Sequence, residues 1–73
     1  MAMTPQQFCN AWNDVTYPVR IITCKSGIVA YSNDYTTIVE NNTQFVVLRY
    51  MLFYSGVSIT VANIPVAEII KVS

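Results

Sequence analysis

The sequence predicts a mainly β fold: one N-terminal α-helix, then a small bent barrel of about five strands. Three observations predict it. The residues before Pro18 have helical apolar spacing with a start and a stop signal. After Pro18, runs rich in Val, Ile, Thr, Tyr and Phe are cut by Lys25-Ser26-Gly27, Asn41-Asn42-Thr43 and Ser55-Gly56, which are residue types that turn a chain. The chain is also 53% apolar and 11% charged over only 73 residues. A domain of that length buries only about 60% of the surface its unfolded chain exposes, so the surplus apolar side chains need cover from elsewhere. Residues 1–73 read as one domain, without linker, low-complexity segment or internal repeat.

The helix is predicted over about residues 4–15. Thr4 is a good N-cap, Pro5 suits the first helical position, and Gln7 completes a capping box. Phe8, Ala11, Trp12 and Val15 follow at i, i+3, i+4 and i+7 and form one apolar face. Packing of Phe8 and Trp12 on a sheet is preferred to any ligand-stacking role. Tyr17-Pro18 ends the helix, because a residue before proline is pushed out of the α region.

Strands fill about residues 18–72. Val19 to Cys24 is the first, and Gly27 turns the chain into Ile28 to Tyr31. Ser32-Asn33-Asp34 interrupts as a bend or a turn before Tyr35 to Glu40. Gln44 to Tyr54 is apolar on both faces and is expected to be covered on both. Val57, Ile59 and Val61 alternate with Ser58, Thr60 and Ala62, as in a half-buried strand. Asn63-Ile64-Pro65 reads as a tight break, and Ala67 to Val72 as the last short strand.

Composition narrows the function. The chain has no histidine, and its four acids, Asp14, Asp34, Glu40 and Glu68, stand singly. No base for a serine or cysteine nucleophile and no metal cluster is in view, so neither an enzyme nor a cofactor is expected. Arg20, Lys25, Arg49 and Lys71 balance the acids to a net charge of zero, which gives no basic field for nucleic acid. These bases read as solvated charges or ion-pair partners. Cys9 and Cys24 fit neither a metal knuckle nor a redox pair and read as reduced, buried thiols. Phe45 to Ile64 has the length of a bilayer span with one charge. Ser55-Gly56 breaks it midway, and its β-branched and aromatic residues favour strands, so no membrane is expected. The polar stretch from Met1 to Gln7 lacks the pattern of a signal peptide, which predicts a cytoplasmic protein and discounts the sequon at Asn41-Asn42-Thr43.

The order of a capped helix, a bent run of strands and a one-turn break before a short last strand resembles the Sm/LSm family of small SH3-like barrels that form RNA-binding rings. "PVRIITCKSG" resembles that family's first strand and turn, "TQFVVLRY" its third strand, and "VSITVANIPVAEIIKV" its fourth strand, short turn and fifth strand. The family carries a glycine where its second strand bends, and none lies between Ile28 and Glu40. The resemblance implies a closed homo-oligomeric ring of roughly five to seven subunits. It places the seam at Val57, Ile59 and Val61 of one subunit and Ile69, Ile70 and Val72 of the next. It also implies single-stranded RNA as partner. The loop before the third strand would supply Asn41, Asn42 and Gln44, the loop before the last strand Asn63, and Asp34-Tyr35 is the candidate acid–aromatic pair, with Tyr35 the stacking residue. Both loops lack a basic residue. A ring with a purely structural or protein-binding role, without nucleic acid, is the alternative.

Overall fold

The computed structural model describes residues 3–52 and 54–73. Helix α1 spans Pro5–Asp14, and the strands are β1 (Arg20–Cys24), β2 (Val29–Ser32), β3 (Asp34–Glu40), β4 (Thr43–Leu52), β5 (Val57–Pro65) and β6 (Ile69–Val72). The mainly β class with one N-terminal helix is as expected.

Local chemistry sets the helix. The Gln7 backbone N–H donates to Thr4 Oγ1 at 3.2 Å, and the Thr4 N–H donates to Gln7 Oε1 at 2.9 Å, so two otherwise unpaired N-terminal donors are satisfied reciprocally. At the other end Arg20 folds back beneath the helix. Its Nε donates to the Trp12 carbonyl at 3.2 Å, Nη2 to that of Val15 at 3.3 Å and Nη1 to that of Pro18 at 2.8 Å. Its guanidinium lies 4.6 Å from the Trp12 ring centroid, a cation–π contact. Arg20 is therefore a C-terminal cap, where a cation also suits the helix dipole, and not a free surface charge.

The strands form two antiparallel three-stranded sheets, β2-β1-β6 and β3-β4-β5. This differs from the single five-stranded barrel the sequence suggested, and no ladder closes a barrel among the described residues. The two sheets are joined at Asn33, where one long run is divided into β2 and β3. Two polar side chains hold that bend. The fully buried Ser32 hydroxyl lies 2.6 Å from the Asp34 carbonyl and 2.7 Å from the Arg49 carbonyl. The Asn33 amide pairs with β4 as a backbone unit would: Nδ2 donates to the Met51 carbonyl at 2.8 Å, and the Met51 N–H donates to Oδ1 at 2.7 Å. These bonds support a bend without glycine.

The second correction concerns the break near the C-terminus. β5 continues through Asn63, Ile64 and Pro65, and the break is a 3₁₀ turn at Val66–Glu68. β5 can run on because Val61 is an extra residue: Leu48 pairs with Ala62 and Arg49 with Thr60. This bulge restores the register that turns Ala62 and Ile64 towards the core.

Phe8, Trp12, Ile22, Ala30, Val46, Leu48, Val66 and Ile69 make the core, with Tyr35, Ala62, Ile64 and Val72 packed against it. Only Val46 and Leu48 of β4 are buried fully. Val46 and Leu48 point inward, whereas Phe45, Val47 and Met51 on the other face are half-buried, so the expected cover on both faces is incomplete within one chain. No helix among the described residues is long and apolar enough to cross a membrane.

Candidate nucleic-acid interface and assembly edges

Asn41 and Asn42 form a two-residue turn between β3 and β4, beyond the Glu40–Thr43 pair. Their φ angles are 49° and 62°. Positive φ at both central residues is the signature of a type I′ turn, whose twist matches that of the flanking strands and which asparagine tolerates well. The conformation consumes neither side-chain amide in the hydrogen bonds of the structure, and both residues are exposed.

The other candidates do not gather around this turn. Gln44 is half-buried and opposite Val39, on the face that carries Val46. Asn63 is exposed in β5 opposite Val47, four strand positions from the turn-flanking Thr43, or about 13 Å along β4. It borders a cleft of about 260 Å³ with Ser26, Ile28, Ile64 and Glu68, floored in part by Cys24. Burial, with the nearby negative charge of Glu68, pushes the Cys24 thiol above its ordinary pKa, which favours the neutral, unreactive form. Both cysteines are free.

Tyr35 is placed elsewhere. Opposite Leu48 on the inner face, its ring meets Phe8 edge-on at 4.9 Å and Trp12 at 4.7 Å between centroids. Burial, and then the neighbouring Cys9 thiol, raise its phenol above the usual range. This aromatic ring seats the helix on β3 and β4 and does not present a free face to a base. Asp34 stands opposite Arg49 in the strand register, and the Arg49 Nε donates to Ser58 Oγ at 2.9 Å. No group of three or more metal-ligating side chains occurs among the described residues.

The chain matches no known family model, no characterised protein and no solved structure. Its functional reading therefore rests on its own surface. The clearest feature of that surface is a pair of sheet edges. β5 ends one sheet and β6 the other. Val57, Ile59 and Val61 on β5 and Ile70 on β6 are all substantially exposed. Ile69, in contrast, is fully buried in the chain's own core, and Val72 is half-buried against it; their side chains are already engaged. The sequence reading missed Ser32, Asn33 and Arg20. Their signal was only a polar interruption and a lone base: Ser32 and Asn33 reach β4, 17 and 18 positions away, and Arg20 bonds backbone carbonyls, which no side-chain pattern marks.

Proposed function

We propose that this chain is the subunit of a closed homo-oligomeric ring of Sm-like architecture, and that the ring binds single-stranded RNA. The observation that carries the ring is the strand order. If the run through Asn33 is followed as one bent strand, the order is β6, β1, β2–β3, β4, β5, open at β5 and β6. An exposed nine-residue edge with three apolar side chains invites pairing with another chain. A heterologous contact of one edge with the other closes into a ring when the rotation allows it.

Single-stranded RNA is supported by the free amides of Asn41, Asn42 and Asn63, which suit base edges and sugars. The chain's zero net charge limits phosphate contacts. A ring without nucleic acid is the second reading, favoured by the engagement of Tyr35 in core packing. Titration of the assembled protein with short single-stranded RNAs at two salt concentrations separates the two. Binding with only a mild salt dependence is expected, since the slope follows the number of phosphates neutralised. Asn63→Ala should weaken it at unchanged ring size, as should the pair Asn41→Gly and Asn42→Gly, which keeps the turn's positive φ. Absence of binding at low salt, on an intact ring, removes the RNA assignment and leaves the second reading.

A further inference from the structure

The open edge of β6 is already touched by the chain itself. The Met3 N–H donates to the Ile69 carbonyl at 3.0 Å. Met3 precedes the helix N-cap Thr4 and belongs to neither sheet, so the bond reaches an end strand from outside its ladder. The Met3 side chain is half-buried and packs against the core. One residue is thus held on this edge twice, by its backbone and by its side chain. The docked helix keeps it there, because the following N–H, that of Thr4, is tied to Gln7 Oε1.

The bonds of β6 show what this contact takes away. Ile21 and Ser73 exchange both backbone bonds, at 2.7 and 2.9 Å. In an antiparallel ladder the neighbouring pair, Ile22 and Val72, then directs its N–H and C=O groups away from each other. On the β6 side those of Val72 face the open edge. β6 has only four residues, with Ile69 at its start, and the preceding carbonyl, that of Glu68, already accepts from the Lys25 N–H on the β1 side. The open edge therefore offers a partner few groups, near Val72 and at Ile69, and Met3 occupies the Ile69 end.

We propose that Met3 is a built-in competitor for assembly: it holds the first position of the β6 edge in the free chain, and a neighbour's β5 pairs along the whole of β6 only after displacing it. The proposal rests on the ring reading and adds regulation to its seam. Edge strands pair with other chains unless something covers them, and here the cover is a single bond with partial packing. The net value of such a bond is small enough for it to be exchanged for an equivalent bond to a neighbour. The contact weakens assembly without forbidding it.

Proline at position 3 removes the N–H, whereas glycine keeps it but removes the side chain. Sedimentation velocity of wild type, Met3→Pro, Met3→Gly and Met3→Leu, diluted through the dissociation midpoint, reads the effect. Met3→Pro should tighten each subunit contact by about two- to tenfold, the worth of one hydrogen bond, and Met3→Gly should tighten it too. Met3→Leu, which keeps both holds, should match wild type. In wild type the Met3 amide should also exchange with solvent faster in the assembly than in the monomer, opposite to the rest of the seam. Unchanged or weaker assembly of both Met3→Pro and Met3→Gly would overturn the proposal and leave the ring reading in place. Monomers throughout the series would remove the ring reading, and the competition with it.

Discussion

Trp12→Ala should lower the stability of the fold by about 3–5 kcal/mol, the usual cost of removing a large buried aromatic. Trp12 is 7% exposed and is held on three sides, by Phe8 at 5.9 Å, Tyr35 at 4.7 Å and the Arg20 guanidinium at 4.6 Å. The substitution removes two aromatic contacts and the cation–π contact together. The Arg20 hydrogen bond to the residue-12 carbonyl survives, because it is made to backbone. Equilibrium urea unfolding should therefore show a lower midpoint at similar slope. An unchanged midpoint would mean that the helix does not dock as described.

Asn33→Ala is expected to cost about 2–4 kcal/mol, since two backbone groups of Met51 lose partners worth about 1–2 kcal/mol each. The loss acts on topology as well as on energy. The Asn33 amide ties the junction of the two sheets to β4 across 18 positions of sequence. Its removal should loosen the bend and the adjoining end of β4 before it affects the helix. Hydrogen exchange should show this as faster exchange at Met51 and Leu52, with Phe8 and Ile22 still protected. Uniform acceleration across the chain would assign Asn33 an ordinary packing role.

These two residues mark the boundary of what the sequence discloses. The helix was legible because its determinants are local. Thr4, Gln7, the spacing of Phe8 and Trp12, and the stop at Tyr17-Pro18 all act within a few residues. The turn at Asn41-Asn42 was legible for the same reason. The bend was visible only as three polar residues, because what supports it is a pairing with Met51 that no local pattern records. Arg20 was misread on the same ground: a lone base looks solvated until the fold brings carbonyls to it. The bulge at Val61 hid the true length of β5, since alternation fails for one residue and then resumes in the other phase.

The candidate interfaces divide along the same line. Alternation of Val57, Ile59 and Val61 with polar residues marked a half-buried strand, yet all three are exposed in the single chain. Engagement of Ile69 in the core was not legible, because Ile69 and Ile70 are adjacent and identical, and only tertiary packing selects which one points inward. Tyr35 gave no sign that Phe8 and Trp12 would claim its ring.

The mass of the wild-type protein in dilute solution tests the central claim most directly. The subunit mass is 8.2 kDa. Sedimentation equilibrium at micromolar concentration should return a single closed species of roughly five to seven subunits, with no larger polymers, because a ring leaves no free edge. A monomer persisting throughout the micromolar range would contradict the account.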